Sequence, residues 1–311
     1  MENDFYLNCY IEKLEETGKK PGTLNQYRSV LQPFISWLDV YVEEELSSIN
    51  DAHVTDYIEH FIKKKKPSVA TIKQHISAIN RFLVFHHINA AVSTELAKPH
   101  KTSPLEQQDF ISEQEMTILL ESMGQPIDSA ARDKLISRNL AIVHFVRYKG
   151  FRPSEISSIN MDMVNLVHSI IESKRDGQKV QYQLSGMHAQ YIKDYLRTID
   201  PTKKPKWRSN EPLFVSFNNR SHSFQYDYEC EQPKRLSARS IQEMIKDEVQ
   251  LAGLRKLSAK HLRNSCILEH LKGGQPEKEI RQTFRLTHRS ALYRYKQYRE
   301  SILSQDDGIK K

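Results

Sequence analysis

A chain of 311 residues is long enough for two domains, and its 46 Lys+Arg against 39 Asp+Glu leave a formal charge of +7. That balance favours a polyanionic partner, a nucleic acid or an anionic membrane surface. A spanning helix is excluded because no apolar run approaches the roughly 20 residues it needs. The acidic, polar start MENDFYLN carries no leader pattern, and three isolated cysteines (Cys9, Cys230, Cys266) give neither a disulfide framework nor a metal pattern. The expectation is an intracellular protein with no membrane contact and no metal site, since the 13 histidines show no paired-ligand spacing.

Residues 1–92 read as a small all-helical domain. Phe5, Leu7, Tyr10, Ile11 and Leu14 mark a first amphipathic helix ended by Gly18. Thr23 is placed to cap a second, carrying Leu24, Tyr27, Val30, Leu31, Phe34, Ile35 and Leu38, in which Pro33 predicts a kink or a break. Ser48 or Asn50 starts a third helix that runs into Lys63, Lys64, Lys65 and Lys66, and Ser68 caps a fourth with Ile72, Ile76, Ile79 and Phe82 on one face. The other face of the fourth helix holds Lys73, Gln74, Ser77, Asn80 and Arg81, residue types that bond phosphates and base edges. A solvated helix face has the same composition. The adjacent lysine run and the overall charge favour DNA contact.

Residues 93–110 carry two prolines and no apolar periodicity, and predict a linker. The remainder, 111–311, is a second domain. Helices are expected over 113–123 and 133–148, the latter nearly apolar all round and therefore buried. Gly150 ends it, Pro153 suits the first turn of the next helix, and Arg152 is held in the gap. Val167, Ile170 and Ile171 before SKRDGQK, with Val180, Tyr182 and Leu184 alternating after it, predict a β-hairpin turning at Asp176-Gly177. A helix over 187–197, a basic loop over 201–208, a short strand at Leu213-Phe214-Val215 and a polar, mobile loop over 218–235 follow. Ser237 then caps a helix ended by Gly253.

From Ser258 a further helix starts, with Lys260, His261 and Arg263 crowded into its first turn, and Gly273-Gly274 stops it. Cations beside a helix N-terminus make an anion site. For a chain this basic, a phosphodiester is the obvious anion.

Several blocks in fixed order resemble the tyrosine recombinase (phage integrase) family. GFRPSEISSI is similar to the first-arginine motif, ESKRDGQKVQYQL to the hairpin that carries an active-site lysine, and PLFVS with LSARSIQEMIKDEVQLAGL to the strand and helix that follow. SAKHLRNSCILEHLKGG is similar to the second-arginine block, Tyr295 falls at the nucleophile position, and residues 5–92 resemble the helical core-binding domain. The resemblance implies a mostly α fold with a small antiparallel β-sheet (α+β), a core-binding domain followed by a catalytic domain. It implies Arg152, Lys174, Lys260, Arg263 and Tyr295 as catalytic residues, with Lys179 as fallback for Lys174, and Glu155, His261 and His288 as supporting ones. The activity implied is site-specific recombination of double-stranded DNA through a 3′-phosphotyrosine, without cofactor, by a protein that self-associates on DNA as dimer to tetramer. A cytoplasmic, nucleoid-associated protein of bacterial or phage origin would fit.

Two departures stand out. Lys260 replaces the histidine usual three residues before the second arginine. Leu286, preceded by Arg285, replaces the His or Trp of a Gly-His motif nine residues before the tyrosine; His288 is two residues out of register, and Tyr293 and Tyr298 are the neighbouring tyrosines. Leucine can neither donate a hydrogen bond nor buttress a phosphate. The alternative is therefore a catalytically inactive DNA-binding regulator, a repressor or accessory factor, on the same scaffold.

Overall fold

Apolar residues at 3–4 spacing dictate the first unit, Met1–Ser103. In this computed structural model, which describes residues 2–42, 45–91, 104–175, 178–286 and 289–309, the unit is four helices: α1 (Glu2–Glu16), α2 (Pro21–Tyr41), α3 (Asp51–Lys65) and α4 (Val69–Phe85). Their inner stripes, Leu7 and Ile11, Leu31 and Phe34, Val54 and Ile58, Ile76, Ile79 and Phe82, form one core. Each side chain fully buried there contributes about 1.5–3 kcal/mol. Asn50 caps α3 by accepting from the Ala52 and His53 amides, and Ser68 caps α4 through the Thr71 amide. The start of α2 lies at Pro21, ahead of the Thr23 expected, because a proline at N1 fits the first turn with no amide to satisfy. Pro33 does not end α2. Val30, Leu31, Phe34 and Ile35 on either side of it are buried and hold the two halves in one helix.

The second unit, Pro104–Lys311, begins with residues that composition assigns to a linker. Here residues 104–110 are packed. Leu105 and Phe110 are buried, and Arg255 donates to the carbonyl oxygens of Gln108, within the 3-10 turn Gln107–Asp109, and of Phe110, just after it. The linker expected over 93–110 therefore does not extend through its last seven residues. Its remaining stretch falls largely outside the described residues.

Helices α5 (Glu113–Gly124), α6 (Ala130–Lys149) and α7 (Pro153–Ser157) follow, then a three-stranded antiparallel sheet of β1 (Val164–Asn165), β2 (Ile170–Arg175) and β3 (Gln178–Gln183). Beyond α8 (Gly186–Thr198), the segment Leu213-Phe214-Val215 is buried but makes only an isolated bridge, from Val215 to Arg235, where a strand was expected. The buried Tyr195 hydroxyl takes the Val215 amide at 2.9 Å, interrupting a ladder. The polar stretch over 218–235, expected to be a mobile loop, folds as two small hairpins, β4 (Phe217–Asn218) with β5 (Ser223–Phe224) and β6 (Tyr226–Asp227) with β7 (Gln232–Pro233). Helices α9 (Ala238–Leu251), α10 (Ala259–Lys272), α11 (Glu277–Thr283) and α12 (Arg289–Ile309) complete the unit. The fold is mostly helical with small antiparallel sheets.

Helix α10 is apolar on two sides because it separates two cores. Ala259 and Leu262 belong to the large one built on α6, whereas Cys266, Ile267, Leu268 and Leu271 face a smaller one with Ile280, Phe284, Leu286, Leu292 and Tyr295. The buried Arg147 of α6 donates to Glu269 of α10 at 2.7 Å and pairs with Glu113 of α5, which fixes the register of the three helices. A fully desolvated guanidinium is tolerated only with such partners. Among the described residues no helix is long and apolar enough to cross a membrane.

Candidate functional site

The site is assembled around a left-handed turn. Gly150 ends α6 at φ +63°, and a β-carbon there would meet the Phe284 ring at 2.2 Å. The glycine thus serves both the turn and the close approach of Phe284. Its carbonyl accepts from Nε of Arg263 at 2.8 Å. Two residues on, Arg152 leads into α7, and its backbone N–H donates to Glu155 Oε2 at 2.7 Å.

The Phe284 carbonyl is the hub. It accepts from Nη2 of Arg152 at 3.3 Å and from Nη2 of Arg263, and Arg152 Nη2 also reaches the Arg285 carbonyl at 3.2 Å. Backbone carbonyls at the C-terminus of α11 therefore hold two guanidiniums side by side. Their proximity is visible in the electrostatics: Arg263 is made less basic by burial and then by the charge of Arg152. Two cations crowded this way are relieved by an anion bound between them. A fork-shaped donor suits the paired oxygens of a phosphate, and the Arg152 side chain remains 37% exposed to receive one.

Glu155 stands behind both, with Oε1 at 3.6 Å from Arg152 Nη1 and 3.2 Å from Arg285 Nη1. Arg285 was not singled out from the sequence as a site residue. It adopts φ +47° where the family motif has glycine, and this turn sends its guanidinium to Glu155. The signal available was a cation beside the aberrant Leu286. Leu286 itself is buried in the small core, which suits a leucine and points it away from any polar role.

On α12, Leu292 and Tyr295 face the same small core, while Tyr293 is exposed and Tyr298 stacks on Phe110 at 4.5 Å. The Tyr295 hydroxyl donates to Asn264 Oδ1 at 2.8 Å, one residue beyond Arg263. Burial raises its pKa, and Arg263 opposes the shift by favouring the phenolate. Lys260, one turn before Arg263, is 65% exposed and lies 3.8 Å from the Asp109 carboxylate. His261 turns inward to its own helix: Nδ1 meets the Ser258 amide at 3.1 Å and the Ser258 hydroxyl at 2.9 Å. Burial, then Arg255 and Lys260, lower its pKa.

Arg152, Glu155, Arg263 and Tyr295 are thus brought together, with Lys260 at the edge. Lys174 belongs to β2 and pairs across the hairpin with Lys179. The side chains of Lys174 and Lys179 lie outside the described residues, as do His288 and the turn Asp176-Gly177. In the first unit, Gln74, Ser77 and Arg81 are exposed on the outer face of α4, with Lys73 and Asn80 half-buried beside them. Arg81 donates to the Tyr27 hydroxyl at 3.1 Å. Lys63, Lys64, Lys65 and Lys66 are exposed at the end of α3, where a helix C-terminus also favours cations. Among the described residues no group of three or more His, Cys, Asp or Glu is placed to hold a metal ion.

Residues 6–94 match the family model of the phage integrase N-terminal SAM-like domain, and residues 109–301 match that of the phage integrase family. The chain is 25% identical to the tyrosine recombinase XerD of Bifidobacterium longum over 277 residues, covering 86% of this chain and 83% of that protein. It is 25% identical over 205 residues to the TnP I resolvase of Bacillus thuringiensis, covering 65% and 70%. Among solved structures, the XerH site-specific recombinase bound to a palindromic difH substrate in a post-cleavage complex has a TM-score of 0.64 at 17% identity, covering 92% of this chain and 79% of that one. A lambda integrase dimer bound to a COC′ core site has a TM-score of 0.60 at 14% identity, covering 95% of each.

Proposed function

The chain belongs to the phage integrase family of tyrosine recombinases, and on that premise we propose that it cuts and rejoins DNA at a specific site through a 3′-phosphotyrosine. The observation that carries the reading is the convergence of Arg152 and Arg263 on one carbonyl, beside the hydroxyl-bearing Tyr295. The phenolic oxygen attacks phosphorus, the Oη–P bond forms, and the P–O5′ bond breaks. The phenol releases its proton to solvent water, and the leaving 5′ oxygen takes one from the ammonium of Lys174 on the β2–β3 hairpin, the donor by resemblance, which water then reprotonates. The two guanidiniums neutralise charge building on the non-bridging oxygens. One phosphoester replaces another, so a 5′ hydroxyl from a second strand reverses the step without an outside energy source. Glu155 fixes Arg152 and brings in Arg285, which supplies a third cation near the position that Leu286 leaves apolar.

The exposed face of α4 and the Lys63 to Lys66 run are read as the contacts of the first unit with double-stranded DNA, and subunits assemble as dimer and then tetramer on that DNA. Binding of this kind weakens steeply with salt, because each phosphate neutralised releases counterions. The burial of Leu286 favours one second reading, a regulator that binds DNA without cleaving it.

Covalent capture decides between them. Fragments recovered from host DNA by binding, nicked to trap the intermediate, are expected to give a protein–DNA band on a denaturing gel that vanishes in Tyr295→Phe. Specific binding with no such band would leave the regulator.

A further inference from the structure

We propose that Asn264 is the positioning residue of the nucleophile, and that it takes its own position from the segment entering the second unit. The inference rests on Tyr295 being the nucleophile. Asn264 is 4% exposed. Its Oδ1 accepts the Tyr295 hydroxyl at 2.8 Å, and its Nδ2 donates to the Asp109 carbonyl oxygen at 3.0 Å. Those two partners fix which way the amide lies, since flipping it would set two carbonyl oxygens against each other.

The anchor of the amide is itself held. Asp109 closes the 3-10 turn Gln107–Asp109, and Arg255 grips the carbonyl oxygens on both sides of that residue, Gln108 at 2.8 Å and Phe110. The Phe110 ring stands edge-on to Tyr295 at 6.3 Å and stacks on Tyr298. A displacement of residues 106–110 therefore moves the amide and the aromatic wall of Tyr295 together.

The chemistry of an amide fits positioning and not proton abstraction. Asn264 accepts the hydrogen bond without taking the proton, and the phenolic oxygen keeps its lone pairs for phosphorus. Charge control stays with Arg263. Losing the amide frees the phenol to rotate out of line, and misplacement on the scale of an ångström slows a reaction by about 100-fold.

The test uses full-length protein labelled with 3-fluorotyrosine, in which the Tyr295 fluorine resonance is the one missing from Tyr295→Phe. In Asn264→Ala that resonance is expected to shift, and adduct formation on saturating nicked duplex to slow by about 10–100-fold with DNA affinity unchanged. Asn264→Asp has the same size and keeps an acceptor that ionises, so its adduct rate gains an acid-side pH limb absent from the wild type. A Tyr295 resonance unmoved in Asn264→Ala, or wild-type rate and pH profile in both variants, would overturn the proposal. An adduct that persists in Tyr295→Phe would remove the nucleophile itself, an outcome distinct from an unmoved resonance.

Discussion

Phe284 organises its surroundings through its backbone as much as through its ring. The carbonyl gathers Arg152 and Arg263, and the ring fills the space that Gly150 leaves by having no side chain. Gly150→Ala should therefore damage both roles. The methyl strikes a buried ring at a positive φ, and a loss of about 2–4 kcal/mol is expected in denaturant melts, together with weaker covalent capture. Arg285 offers a cleaner separation of stability from chemistry. At φ +47° an arginine is strained, and Arg285→Gly relieves that strain while deleting the cation paired with Glu155. Stability should stay level or rise by about 1 kcal/mol, while adduct formation slows. If the adduct forms at the wild-type rate, Arg285 has no part in the chemistry.

Among the elements, α10 ties the unit together. It presents Arg263 and Asn264 to the site and closes its first turn with Ser258 and His261. Leu262 and Cys266 share a face of the helix one turn apart, and the advance along the axis takes that face from the large core at Leu262 into the small one at Cys266. The segment 104–110 is the less obvious element, because it has no periodicity and owes its order to Arg255. That arginine donates to two backbone carbonyls and, at 2.6 Å, to Glu115, whose carboxylate also accepts the Ser112 amide at the start of α5. Arg255→Ala is expected to cost about 1–3 kcal/mol. Amide hydrogen exchange should quicken over residues 106–112 more than in α6. Unchanged exchange there would mean that the burial of Leu105 and Phe110 and the Asn264 bond to Asp109 hold the segment without Arg255.

Across the whole molecule, each unit has its own core, and the second also carries a buried titratable pair. His144 and His188 stand 5.3 Å apart, with His188 Nε2 at 3.0 Å from the Ala141 carbonyl oxygen. Burial lowers both, His144 to about 4 with help from Lys149, and His188 to about 3 with help from His144. Their folded-state values lie below the unfolded value of about 6.5, so the unfolded chain binds more protons in that window. The stability they contribute is complete above about pH 6.5 and declines as pH falls towards 4 and 3, by about 1.4 kcal/mol per pH unit for each imidazole. Denaturant midpoints should drop between pH 7 and 5, and His188→Gln should flatten that dependence. Equal midpoints at the two pH values would show that the imidazoles are not held neutral.

The charge of +7, the four helices of the first unit, the β2–β3 hairpin and the arginine turn at Gly150 were all legible in the sequence, because each rests on local chemistry: side-chain period, caps, and the backbone freedom of glycine and proline. The family blocks gave Arg152, Glu155, Arg263 and Tyr295 in order along the chain. What no local pattern could give was the set of contacts made across more than a hundred residues. Phe284 meets Arg152 and Gly150, Asp109 meets Asn264, and Arg285 meets Glu155. The linker-like composition of residues 104–110 misled for the same reason: the partner that orders them, Arg255, is some 145 residues away. Local sequence sets which backbone conformations are cheap. Only the packed chain decides which distant donors find which carbonyls, and that pairing determines where the two guanidiniums and the phenol point.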